Sequence, residues 1–207
     1  MEKFDIDSGK ALVVIDAMRG FTSKGTFGEA FGEQDSKPID TTFKRLQNFI
    51  DVNSGVLETR SLVRSEYPAG KFVQDQKSPL YRLCVEGSVD LEDAILIDGQ
   101  WYKVVKAEND ATTEKDFIDW IDQAVIEGGK KGVIVTGCTL TSCVSQTAMS
   151  MRRILNEANE ERTSIIVPLN LIGSRESHAK KGSNGQSRID LIVEEMRDTG
   201  IKVIDTL

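Results

Sequence analysis

Histidine is almost absent: His178 is the only one among 207 residues. That excludes a metal site built on several imidazoles. No Cys/His/Asp cluster with metal-ligand spacing takes its place, so neither a metal nor a cofactor is expected. Cysteine is scarce too. Cys84, Cys138 and Cys143 form an odd set without paired spacing, which argues against a disulfide framework and for a reducing compartment. Long apolar runs are missing. The longest is about five residues, against the ~20 that a membrane span needs. Basic charge gathers nowhere. Lys130-Lys131, Arg152-Arg153 and Lys180-Lys181 are isolated pairs in a chain of net charge −7, which speaks against nucleic acid and membrane surfaces as partners. No G-x-G-x-x-G follows the first strand and no G-x-x-x-x-G-K-[ST] occurs, so a nucleotide-binding reading is dismissed. The first ten residues are polar and acidic, unlike a signal peptide. The expected location is the cytoplasm, and the expected partner is a small-molecule substrate.

What is present is enough for a core. Hydrophobic residues make up 39% of the chain, and its length fits one domain over 1–207. Ala11 to Ile15 is a continuous apolar run ending in Asp16, the pattern of a central parallel strand buried on both faces. Residues 17–38 read as a loop, and Asp40 as the cap of a helix carrying Phe43, Leu46 and Ile50. Residues 56–60 read as the second strand and 61–93 as a long functional or covering excursion. Ala94 to Val105, with Asp98-Gly99 at its middle, reads as a hairpin whose second arm ends at Lys106. A helix capped by Thr113, a strand at 164–169, a helix capped by Ser187 and a strand at 201–204 complete the pattern. Strands alternating with helices predict an α/β fold: a doubly wound, three-layer α/β/α arrangement around a six-stranded, mainly parallel sheet. The commonest order is 3-2-1-4-5-6, with its ligand crevice at the carboxyl ends of strands 1 and 4.

The stretch from Val133 to Val144 organises this pattern. A β-branched run is broken by Gly137, and a helical pattern opens at Cys143 with Val144, Ala148, Met151 and Leu155. With Ser142 as N-cap, the Cys143 sulfur would face the positive end of the helix dipole, which favours thiolate. The bland alternative is that cysteine is a small buried hydrophobe. Asp16 has a bland reading as a turn-former, and Lys106 as a solvated lysine.

Taken together, the motifs are more specific. Leu12-Val-Val-Ile-Asp16 with Phe21, Val104-Val-Lys106 followed by Asp110-Ala111, and Thr136 to Val144 with Thr147-Ala148 occur in one order along the chain. In this the chain resembles the isochorismatase-like cysteine hydrolase superfamily, which includes nicotinamidases and N-carbamoylsarcosine amidases. The resemblance implies a triad of Cys143, Asp16 and Lys106. It also implies a cis peptide between Cys138 and Thr139, and an oxyanion hole from the N–H groups of Thr139 and Cys143. It further implies a homodimer or homotetramer, with the 61–93 segment available as contact surface. Leu140 stands where relatives commonly carry threonine. Metal-dependent nicotinamidases carry Asp-x-His after the second strand, where this reading places Ser61 and Val63, so no metal site is expected.

The expected function is hydrolysis of an amide, ureido or carbamoyl C–N bond through a thioester. A free thiol and a free aspartate differ by ~4.6 pKa units, or ~6 kcal/mol against proton transfer. The helix dipole and Lys106 are expected to narrow that gap by lowering the thiol. Phe21, Arg60 and Arg175 are expected at the substrate, the arginines as carboxylate clamps. Alternatives are a vinyl-ether hydrolase of isochorismatase type, a Cys143–His178 hydrolase, and a non-catalytic scaffold that keeps the fold.

Overall fold

In the computed structural model, which describes residues 6–207, the core is a parallel sheet with helices on both faces. The strands are β1 (Lys10–Ile15), β2 (Arg60–Ser65), β3 (Tyr102–Lys106), β4 (Gly132–Cys138), β5 (Ser164–Pro168), β6 (Ile172–Gly173) and β7 (Lys202–Ile204). The order is β3-β2-β1-β4-β5-β7, the arrangement expected for six strands. The two-residue β6 pairs with the end of β4 as a seventh. Part of the polar segment at residues 1–10 lies outside the described residues.

Strand periodicity divides the core in two. Ala11, Val13 and Ile15 of β1 face one layer with Val133 and Val135 of β4. That layer is covered by α3 (Lys115–Trp120), α4 (Ser145–Glu157) and α6 (Arg188–Asp198), through Phe117, Trp120, Met151, Leu155 and Met196. Leu12 and Val14 face the other way, against Ile39, Phe43, Leu46 and Ile50 of α2 (Glu33–Asn53). Beside α2, the segment after β2 covers the same face with Tyr67, Leu83, Cys84, Ile95 and Trp101. A continuous apolar run is therefore what β1 needs, since each large side chain taken from water contributes about 2 kcal/mol on either face.

Several local expectations give way. The segment read as a loop at 17–38 contains α1 (Thr26–Phe31) and the start of α2, with Pro38 inside the helix. Asp40 therefore caps nothing; its carboxylate accepts from the Ser23 backbone N–H and hydroxyl. The second strand is Arg60–Ser65, not 56–60. Ala94 to Ile97 forms no strand: β3 pairs with β2 instead, while Ile95 is buried and Leu96 N–H donates to Gln47. Among the described residues no helix is long and apolar enough to cross a membrane.

Candidate active site

The parallel register brings the chemistry to one edge. Ile15 lies opposite Gly137, and Ser65 opposite Lys106. The carboxyl ends of β1, β2, β3 and β4 therefore converge on Asp16, Ser65, Lys106 and Cys138. Gly137 makes the approach possible. It lies inside β4 rather than ending it, at φ +111°, and a Cβ there would stand 1.9 Å from the Ile15 carbonyl oxygen. Asp16 leaves β1 at φ +50°, in the left-handed region that aspartate tolerates better than most residues.

The turn after β4 begins earlier than the sequence implied. The peptide bond between Cys138 and Thr139 is cis. Thr139, not Ser142, holds the capping position: it is extended, and its carbonyl accepts from the N–H groups of Ser142 and Val144 at 3.2 and 3.1 Å. The wide π turn Leu140–Val144 follows and leads into α4, with Cys143 inside it. Ser142 instead hydrogen-bonds Thr139 side chain to side chain.

Asp16, Lys106 and Cys143 come together and are almost fully buried. Lys106 Nζ stands 2.9 Å from Asp16 Oδ2 and 3.5 Å from Cys143 Sγ. Burial pushes the ammonium down, but Asp16 and Cys143 outweigh it, and Lys106 remains a cation. The thiol was expected to be lowered. It is pushed up to about 11 by burial and by the Asp16 charge, with Lys106 opposing only in part. Cys143 thus rests as a thiol. The buried Asp16 carboxylate is also a hydrogen-bond partner of the Cys143 thiol, which favours the protonated sulfur.

Cys143 lies at the floor of a cavity of about 260 Å³. Its walls include Phe21, Phe27, Phe31, Phe72, Leu80 and Leu83, and its polar lining includes Asn109, Thr139, Thr141, Ser142, Arg175, His178 and Arg188. A larger groove of about 680 Å³, between Lys44, Gln47 and Leu96, reaches none of Asp16, Lys106 and Cys143. Of the residues expected at the substrate, Phe21 and Arg175 line the cavity. Arg60 does not. It opens β2, at the end of the sheet away from Cys143, with its guanidinium over the Trp101 ring at 4.9 Å. The misplaced strand is the reason: Arg60 begins it and does not end it.

Arg175 is already occupied. It pairs with Asp35 Oδ2 at 3.1 Å, donates to His178 Nε2 at 2.7 Å and stacks on Phe31 at 3.7 Å. His178 accepts there on Nε2, so it is the neutral tautomer with its Nδ1–H toward Thr141 Oγ1, 3.0 Å away. Both ring nitrogens are taken and neither touches Cys143, which removes the Cys143–His178 reading.

Sequence reasoning missed Ser65, Tyr67 and Arg188. β2 ends at Ser65, so an Asp-x-His at that point of the chain falls on Ser65 and Tyr67, not on Ser61 and Val63. The correct strand boundary was the signal that would have found Ser65 and Tyr67. Arg188 follows the Ser187 cap and has no side-chain partner among the described residues.

With the geometry in view, similarity to known proteins can be placed. No protein-family model matches the chain, and no curated protein matches its sequence. Solved structures do match it. A pyrazinamidase of Pyrococcus horikoshii in complex with zinc is 17% identical, with 95% of this chain and 98% of that one covered at a TM-score of 0.66. An isochorismatase-like hydrolase from Alkaliphilus metalliredigens is 16% identical, with 94% and 90% covered at 0.60. The YcaC gene product of Escherichia coli, described as an octameric hydrolase of unknown specificity, is 16% identical, with 99% and 79% covered at 0.55.

The chain has the isochorismatase-like hydrolase fold. The Pyrococcus protein is in complex with zinc, and the described residues here do not suit that ion. Among the described residues no three His, Cys, Asp or Glu side chains are grouped to hold a metal. The side chains at the end of β2 are a hydroxyl and a phenol that bond each other, Ser65 Oγ to Tyr67 OH at 2.6 Å. Burial, followed by the Asp16 charge, raises the phenol above its ordinary pKa, which keeps it protonated and a poor zinc ligand.

Proposed function

We propose that the protein is a cysteine hydrolase of small molecules, cleaving an amide, ureido or carbamoyl C–N bond. One observation carries the reading: the buried Lys106 ammonium lies 2.9 Å from Asp16 and 3.5 Å from Cys143 Sγ, and Cys143 lines an aromatic-walled cavity. A scaffold has no need for a buried cation between a carboxylate and a thiol. A vinyl-ether hydrolase has no need for the thiol.

Asp16 takes the proton from the Cys143 thiol as Sγ attacks the carbonyl carbon. The N–H groups of Thr139 and Cys143 hold the resulting oxyanion. The tetrahedral intermediate collapses when Asp16 returns the proton to the leaving nitrogen, which departs as ammonia or an amine. Water, deprotonated by Asp16, then hydrolyses the thioester to the acid and regenerates the thiol. Lys106 stays charged throughout and offsets the negative charge that moves between Asp16 and sulfur.

The cavity also supports a substrate class. Its walls fit an apolar or aromatic body, and with Arg175 occupied by Asp35, Arg188, which has no side-chain partner among the described residues, would read an anionic substituent. Screening small amides, ureides and carbamoyl compounds for ammonia release, with Cys143→Ala as the blank, is the direct test. Turnover by the wild type and at least a thousandfold less in the variant are expected, in line with loss of a nucleophile. Equal turnover by Cys143→Ala would remove the nucleophile assignment.

A further inference from the structure

We infer that Tyr67 is a catalytic residue whose phenolic O–H donates a hydrogen bond to Cys143 Sγ, aimed there by Lys106 and Ser65. The inference deepens the proposed hydrolase reading and rests on Cys143 as nucleophile.

Hydrogen-bond direction follows from counting hydrogens. The Lys106 ammonium carries only donors. Its Nζ lies 2.6 Å from Ser65 Oγ, 2.9 Å from Asp16 Oδ2 and 3.1 Å from the Glu108 carbonyl oxygen. Ser65 Oγ therefore accepts from Lys106 and spends its single hydrogen on its other neighbour, Tyr67 OH at 2.6 Å. Tyr67 OH accepts from Ser65, and Lys106 Nζ approaches it as well at 3.3 Å. Its own hydrogen is left for Cys143 Sγ, 3.7 Å away. Lys106 thus reaches the sulfur twice, directly and through a chain of two hydroxyls in which each bond polarises the next.

The donor matters most during reaction. A thiolate accepts far more strongly than a thiol, so the Tyr67 bond strengthens once Asp16 has taken the proton. Sulfur is deprotonated in that state and the carbonyl is about to be attacked, so the stabilisation favours the transition state over the resting enzyme. The phenol does not compete as an acid, because burial and then the Asp16 charge raise its pKa. The other charged or titratable groups near Sγ are Asp16, Lys106 and the buried thiols of Cys84 and Cys138, with His178, Arg175 and Arg188 also lining the cavity. The turn that carries Cys143 adds none.

The test is the pH dependence of Cys143 alkylation by iodoacetamide, read by peptide mass spectrometry in the wild type, Tyr67→Phe and Ser65→Ala. Removing the donor should shift the alkylation profile to higher pH and slow labelling near neutrality about fivefold. Ser65→Ala should move it in the same direction but less, because Lys106 still contacts the phenol. On a turned-over amide, Tyr67→Phe should lower kcat and leave KM nearly unchanged. A folded Tyr67→Phe whose profile superimposes on that of the wild type would overturn the assignment. If Tyr67→Phe does not fold, an unmoved profile in Ser65→Ala overturns it. Wild type labelled at Cys84 and not at Cys143 is a different failure, which takes down the nucleophile reading and this inference together.

Discussion

His178 shows how one side chain can look catalytic in sequence and serve the fold instead. As the only histidine, in a polar loop after a strand, it invites pairing with the cysteine. In the structure it is wedged between Thr141 and Arg175, and its pKa is pushed down to about 4, first by burial and then by Arg175 and Arg188. An unfolded histidine titrates near 6.5. Between those two values the unfolded chain binds the proton and the folded protein refuses it, so stability rises with pH across that window. The stabilisation is fully present above about 6.5 and is lost as pH falls toward 4, on the order of 3 kcal/mol in all. His178→Gln can still accept from Arg175 but does not titrate. Thermal melts at neutral pH and near pH 5 should show a larger drop for the wild type than for this variant; equal drops would show that His178 does not titrate there. Arg175 follows the same logic. The sequence places it as a substrate clamp, yet its bonds to Asp35 and His178 and its stacking on Phe31 tie it to the fold.

Elements were legible in proportion to how far local pattern and tertiary pairing agree. β1 and β4 are apolar on both faces and have no other use, so their sequences announce them, and the sheet order follows from crossover handedness. β2 was placed about four residues early because Val56 and Leu57 also look strand-like. Leu57, however, is buried from an irregular segment, while the pairing partner Tyr102 selects Arg60–Ser65. That single slip sent Arg60 to the wrong end of the sheet and hid Ser65 and Tyr67. The 94–97 arm was a local strand signal that the fold uses otherwise: Ile95 is buried in the layer with α2, and the outer edge of β3 pairs with no strand among the described residues. Ser142 and Thr139 are equally good caps by type, and only the backbone decides between them. Gly137 gave the clearest signal for the site, though for a different reason than expected: it lets β4 pass within contact of β1. Gly137→Ala should place Cβ against the Ile15 carbonyl and force a left-handed φ on alanine. A loss of about 3 kcal/mol or more is expected in denaturant unfolding. A loss under about 1 kcal/mol would mean that the strands can part without cost.

At the scale of the whole molecule, the charge balance and the site pull in opposite directions. Net charge is −7, which at long range repels an anionic ligand. Ionic strength near physiological limits that field to about 8 Å, so what a ligand meets at the cavity is decided locally. There the lining carries Arg188, without a side-chain partner among the described residues, and Arg175 paired with Asp35, while the Asp16 carboxylate lies buried against Lys106. An acidic protein thus presents a cationic mouth, which would admit anions and orient them with the charged end at Arg188 and the carbonyl toward Cys143. Two alkylating agents of nearly equal size separate this effect from thiol reactivity: iodoacetate carries a charge and iodoacetamide does not. The ratio of their rates at Cys143 cancels the intrinsic reactivity of the sulfur and leaves the field of the rim. Arg188→Gln should lower the iodoacetate-to-iodoacetamide ratio about fivefold, the effect of one charge a few ångströms away in a partly wet site. Added salt should lower the wild-type ratio toward that of the variant. A ratio that Arg188→Gln leaves unchanged would mean that Arg188 points to solvent, and the anionic substrate class would go with it.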